Sequence, residues 1–204
     1  DSSLRISASE VLDNICDRFV SIQVLAQRNQ AKDYSFTGLT PNLFVEVLSE
    51  AICGPIESHG EYATKLISRI YTRISENVTV EKIPELPLFF LLVEKLIAYC
   101  YGSEFSRKIG ACKGINLLCG FKLGARWMWM QESRIVRGLL FILKDIPAYA
   151  SALHISLISE TLLTVLQFCH SLNEFHDSDL KSKNQYYFNQ IMSILISELW
   201  CPLR

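Results

Sequence analysis

Eight basic side chains fall between residues 107 and 144: Arg107, Lys108, Lys113, Lys122, Arg126, Arg134, Arg137 and Lys144. Trp127 and Trp129 lie among them, and the neighbouring acids are Glu104, Glu132 and Asp145. Cations interleaved with aromatics suit nucleic acid or an acidic protein segment. The formal charge of the chain is −1 and its pI about 6.5, which gives no global attraction to nucleic acid or an anionic membrane. An acidic protein partner is therefore the better match, with Arg126, Arg134 and Arg137 as the candidate contacts. The competing reading, and the commoner one for such residues, spreads them over different faces of two helices, solvated or paired. Met128, Met130 and the two tryptophans likewise read as a partner groove or, more commonly, as core.

Catalytic chemistry finds no foothold. The glycines at 110, 114, 120 and 124 lie in and after a helical pattern rather than between a strand and a helix, so they form no phosphate loop. The motifs GxSxG, HExxH, HRD and DFG do not occur. His59, His154, His170 and His176 are scattered, and the three acids above are too sparse to define a metal site or an acid–base pair. No catalysis, metal, cofactor or small-molecule substrate is expected. Asp145, just before Ile146-Pro147, reads as a structural helix terminator.

The seven cysteines, Cys16, Cys53, Cys100, Cys112, Cys119, Cys169 and Cys201, are widely spaced, with no CxxC pair. On apolar faces they act as small hydrophobes, so reduced, buried thiols in an intracellular protein are expected. In that setting the sequon Asn77-Val78-Thr79 carries no meaning.

The elements that must position these residues are helical throughout. Over residues 2 to 29, Val11, Leu12, Ile15, Cys16, Phe19, Val20 and Ile22 follow the spacing of an amphipathic helix. Thr40-Pro41 opens a second helix, which Gly54-Pro55 stops. Ser58 and Glu61 form a capping-box pattern before a third, with Tyr62, Leu66, Ile70 and Ile74 as its stripe. Pro84 and Pro87 stiffen the next connector. The run from Leu88 to Tyr101 is apolar nearly all round and reads as a buried helix. A helix over about 103 to 119 turns Phe105, Ile109, Cys112, Ile115, Leu118 and Cys119 inward. Within it, Gly110 and Gly114 each cost about 1 kcal/mol relative to Ala, a cost that close approach of another helix would offset. A helix from the Trp127 region reaches Pro147, with Leu140 and Phe141 expected in the core. Ser151 caps another, and a last helix follows the loop at 173 to 179.

About eight helices with short connections imply antiparallel pairs and an all-α, HEAT-like α-solenoid. No run of about 18 uninterrupted apolar residues is present, so no membrane-crossing helix is expected. Half of the 204 residues are apolar, only 20% are charged, and mean hydropathy is +0.20. That surface is expected to be covered in part by neighbouring protein. Both ends look mid-structure: the opening resembles the second helix of a HEAT repeat, and Pro202-Leu203-Arg204 could start another helix. The chain is expected to be one solenoid segment, 1–204, excerpted from a much larger protein.

The phrases "CYGSEFSRKIGACKGINLLCGF", "IVRGLLFILKDIP" and "ISETLLTVLQFC" resemble the HEAT-repeat region of the family of the transcription-associated pseudokinase TRRAP and its fungal counterpart. The matching residues are Cys100, Tyr101, Lys108, Gly110, Gly114, Ile115, Leu139, Leu140, Phe141, Asp145, Leu162 and Leu163. Residues 100–204 carry the resemblance, and 1–99 match only as generic helical repeat. In one departure, Gly110-Ala111 stands where the family commonly has paired glycines. The resemblance implies a nuclear, non-enzymatic coactivator scaffold. Its partners would be subunits of histone acetyltransferase complexes, SAGA-type and H4-acetylating, and acidic transcription activators. The remaining alternatives are an unrelated HEAT- or armadillo-type adaptor, such as a nuclear transport factor, and a repeat segment of an active related kinase.

Overall fold

A computed structural model describes residues 41–76, 78–79, 83, 86–121, 125–170 and 178–200, together with Asn14 and Asp17. Seven helices account for nearly all of them: α1 (Pro41–Cys53), α2 (Glu57–Ser75), α3 (Pro87–Cys100), α4 (Phe105–Gly120), α5 (Ala125–Lys144), α6 (Ala152–His170) and α7 (Ser178–Trp200). No strand occurs among the described residues. Asn14 and Asp17 are helical, and the rest of the expected helix over 2 to 29 lies outside the described residues, as does Thr40.

The helices stack in two layers. α1, α3, α5 and α7 pack in series, each on the next, and α4 packs on α2 and on α6 in the second layer. The layers are joined where α1 meets α2 and α4, α3 meets α4, and α5 meets α6. The second-layer helices begin at 57, 105 and 152, a repeat of about 48 residues, close to HEAT spacing. This is the expected all-α solenoid of helix pairs.

Local sequence explains most boundaries. Pro87 sits in the first turn of α3, where its missing N–H costs nothing, behind the extended Leu86. α1 ends at Cys53, immediately before Gly54-Pro55. α5 ends at Lys144, earlier than Pro147 alone would require, and the Asp145 N–H closes onto the carbonyls of Phe141 and Ile142. The Ser58 capping box does not form. α2 starts at Glu57 behind Ile56, which offers no side-chain cap, and the Glu57 carboxylate complements the helix dipole instead.

The core runs through both layers. Phe89 of α3 meets Tyr71 of α2 and Phe121 edge-on, at 6.2 and 6.3 Å, while Tyr71 and Phe121 stack at 4.4 Å. Two expected core positions are corrected. Tyr62 is exposed, and the buried stripe of α2 is Ala63, Ile67, Ile70 and Ile74. Phe141 is 40% exposed, although Leu140 beside it is buried.

Three glycines mark the tightest helix crossings. A Cβ on Gly110 would stand 2.4 Å from Cys53 Cα and 2.6 Å from the Ile52 carbonyl oxygen. One on Gly114 would meet Leu96 at 2.7 Å, and one on Gly138 would meet the Cys100 Cβ at 3.0 Å. Thus α4 touches α1 backbone directly at Gly110, which is the close approach expected for that position.

Candidate functional site

The cations that suggested a binding patch are largely engaged with the protein itself. Lys108, on α4, is 1% exposed, yet it carries its ammonium to Asp145 Oδ2 at 2.5 Å. The Phe141 ring lies 5.0 Å from the same nitrogen. The whole side chain is buried, and its ammonium meets Asp145 beside the C-terminus of α5, whose dipole favours a cation. Arg107, one residue earlier, donates to Glu104 Oε2 and to Glu50 Oε1 of α1, each at 3.1 Å. The Tyr99 hydroxyl donates to the same Glu50 oxygen at 2.6 Å. That hydrogen bond, reinforced by Arg107, holds the Glu50 carboxyl below its usual range. Lys113 reaches Glu57 of α2, and Lys144 reaches Glu198 of α7 at 2.5 Å. Apart from the local Arg107–Glu104 contact, each of these pairs ties one helix to a neighbour.

Of the three candidate contacts, Arg134 grips Glu94 of α3 with both terminal nitrogens, one of them at 2.8 Å, and also bonds Gln131. This fork keeps the Glu94 carboxyl below its usual range. Arg137 is exposed on α5, and its charge is felt at Tyr101 and at Glu198. Arg126 lies in α5, but its side chain, like those of Trp127, Met128, Trp129 and Met130, is outside the described residues. Arg137 therefore shares the outer face of the first layer with Tyr101 and Phe141, two half-exposed aromatics whose rings lie 5.2 Å apart.

One buried polar pair was not legible in the sequence. Glu132 of α5 is fully buried, and its Oε1 lies 2.7 Å from His170 Nε2 of α6. Burial raises the Glu132 carboxyl to about 7, against the opposing pull of the His170 charge and hydrogen bond. The neighbouring Cys169 thiol is buried and raised, first by desolvation and then by the Glu132 charge, so it is a thiol and not a nucleophilic thiolate. Burial likewise pushes the thiols of Cys53, Cys100 and Cys119 up to about 12. Among the described residues, no group of three or more His, Cys, Asp or Glu side chains could hold a metal. His154 serves locally: its Nδ1 accepts the Ser151 N–H at 3.2 Å at the start of α6.

What this geometry provides is a stack of helices cross-tied by ion pairs, with a mixed charged and aromatic ridge outside. The family model of the Tra1 HEAT repeat ring region matches residues 1–204. The chain belongs to the Tra1 HEAT repeat ring family. It is 24% identical over 172 residues to the human transformation/transcription domain-associated protein, covering 81% of this chain and 4% of that protein. The zebrafish protein of the same name is 26% identical over 172 residues, with 81% and 4% covered. Transcription-associated protein 1 of Drosophila melanogaster is 22% identical over 211 residues, covering 98% of this chain and 5% of the relative. The chain thus spans about a twentieth of the length of these relatives. In this Tra1 ring segment, Lys108 and Asp145, two positions that carried the resemblance, are bonded to each other.

Proposed function

We propose that this segment is a non-catalytic scaffold in a transcription coactivator. It would act in the nucleus within histone acetyltransferase complexes of the SAGA type and the H4-acetylating type. The observation that carries this reading is the match of the Tra1 ring model to the whole chain, on relatives named for association with transcription. The fold supports it physically. A two-layer stack with one continuous core holds its outer ridges in fixed register, which is what surface presentation requires. In this reading the parent protein is much larger and ends in a kinase-like domain without catalytic residues, and the segment is one stretch of its solenoid.

Its partners are protein subunits of the acetyltransferase complex and acidic transcription activators. Arg126, Arg134 and Arg137 are the proposed contact residues. Arg137 leads, because it stands exposed beside Tyr101 while Arg134 is engaged by Glu94. The unrelated-adaptor alternative gives way to the family membership. The test is to purify the tagged full-length protein gently from nuclear extract and assay the eluate on nucleosomes. Acetyltransferase activity that co-elutes, and that survives mutation of the parent's own kinase-like domain, supports the scaffold. A clean eluate without activity overturns it.

A further inference from the structure

The three second-layer helices begin at the same edge of the stack, and a groove of about 790 Å³ opens there. Its walls come from the start of α2, the start of α4 and the link into α6, so it lies within the stack rather than at either end. Gly110 accounts for it. α4 is drawn onto the backbone of α1 at Cys53, packs broadly on α6 and touches α2 only narrowly, which leaves a trough between α2 and α4. One part of the trough is apolar. Phe105 and Ile109 line it, and the Tyr149 and His154 rings stand edge-on to Phe105 at 6.0 and 5.6 Å. Ile56 and Tyr149, also lining, are both more than half exposed. Apolar surface left open and rimmed by polar groups marks a site of interaction.

The charges around the groove are unevenly spent. α2 and α4 turn their positive ends toward it, and Glu57 and Glu104 stand at those ends. Glu57 is also met by Lys113 at 3.4 Å, and Glu104 by Arg107. α1 brings the opposite pole. It ends at the groove, its last turn holds no basic residue, and its terminal carbonyls have no partner within the helix. The carbonyl oxygens of Ala51 and Ile52 lie 3.4 and 2.6 Å from where a Cβ would stand on Gly60 and Gly110. Glu61 adds a full negative charge and makes no ion pair among the described residues. Lys65, one turn on, lies over the Tyr62 ring at 5.9 Å. The unspent charge of the groove is therefore negative.

We propose that this groove binds an extended basic segment of a partner protein, with an arginine side chain at Glu61 and an aliphatic or aromatic side chain against Phe105, Ile109 and Tyr149. Charge complementarity selects the cation. Glu57 lies one turn before Glu61 on the same face of α2 and repels it, and a forked guanidinium reaches both carboxylates and relieves that repulsion. The apolar part selects the second side chain. The helix-end carbonyls of α1 select an extended backbone, whose N–H groups are free to donate where those of a helix are already used. This partner is opposite in charge to the acidic segments assigned to Arg137, and the groove is in the other layer, so the inference stands apart from that reading.

The test pans random-peptide phage on the immobilised full-length protein, after the library has been depleted on full-length Glu61→Arg. The recovered peptides should carry Arg or Lys within a few positions of Leu, Ile, Phe or Tyr. One of them, labelled with fluorescein, should bind at least about tenfold more weakly to Glu61→Gln and to Tyr149→Ala. It should bind equally well to Tyr186→Ala, which alters an exposed tyrosine on α7. Recovery of acidic or uncharged peptides, affinity indifferent to Tyr149→Ala, or no peptide surviving depletion overturns the inference. Glu61 and Tyr149 are exposed, which spares the fold. Melting curves verify this, and Glu61→Gln takes the place of Glu61→Arg in the depletion if the latter does not fold. Acetyltransferase activity is not read, so this inference and the proposed function fail separately.

Discussion

Lys108 Nζ and Asp145 Oδ2 lie 2.5 Å apart, thirty-seven positions apart in sequence, and lock α4 to the end of α5. The two partners sit in unlike surroundings: the Lys108 side chain is 2% exposed and that of Asp145 64%. Removing either end should therefore have different consequences. Asp145→Ala strands a buried ammonium and should cost about 1–3 kcal/mol. Lys108→Met keeps the stem and removes the charge, and such replacements are often neutral, within about 1 kcal/mol. Urea midpoints of the two single variants and the double variant check this. The double variant should resemble Lys108→Met, because Asp145 then has no buried charge to satisfy.

Gly110 sets the distance between α4 and α1. Its added Cβ would collide with backbone atoms of Cys53 and Ile52, which a rotamer change cannot relieve. Gly110→Ala should destabilise by about 1–3 kcal/mol, as overpacking does. Gly120 is the control: nothing lies within 4 Å of its Cβ position, at the exposed end of α4. Gly120→Ala should stabilise by about 0.4–1 kcal/mol through the unfolded chain. Thermal denaturation of the two variants side by side decides it.

Glu132 gives the segment a pH dependence of unusual sign. A carboxyl raised from 4.5 to about 7 keeps its proton in the folded state where the unfolded chain releases it. The folded state then binds more protons across that window, so this group's contribution to stability falls as pH rises from about 4.5 to about 7. Glu132→Gln should remove that component. Denaturation midpoints at the two ends of the window should differ less in the variant than in the parent protein.

The two described arginine candidates should separate in their effects. Arg134→Ala breaks the fork to Glu94 and should cost about 0.2–1 kcal/mol, the range of exposed pairs. Arg137→Ala should change stability by no more than about 0.5 kcal/mol, yet weaken capture of an acidic activation segment. Titrating each variant with that segment, alongside its melting curve, shows whether Arg137 binds or is merely solvated.

Most of the helical layout was legible because punctuation and periodicity agreed. Pro87 opens α3, Gly54-Pro55 follows the end of α1, and the expected inward residues of α4, from Phe105 to Cys119, are buried. Errors arose where fine geometry decides. Steps of four drift by about 40° per step around a helix, so the Tyr62–Leu66–Ile70–Ile74 reading slid off the buried face and Tyr62 emerged in solvent. Phe141 sits about 100° around from the buried Leu140, and only tertiary packing could show that it shelters Lys108 rather than filling the core. The Glu132–His170 pair spans thirty-eight positions and leaves no local signal. Gly138, alone in its helix, gave no hint that Cys100 lies against it.

The central proposal is that this packed segment helps the parent protein hold acetyltransferase partners. The most direct measurement compares full-length tagged wild type with Gly110→Val, in which α1 and α4 cannot approach. Both are purified from nuclear extract in equal amount, with limited proteolysis to confirm that only this segment has opened. Nucleosome acetyltransferase activity per molecule should be high for wild type and largely lost for the variant. Equal activity in both, or none with wild type, would contradict the account.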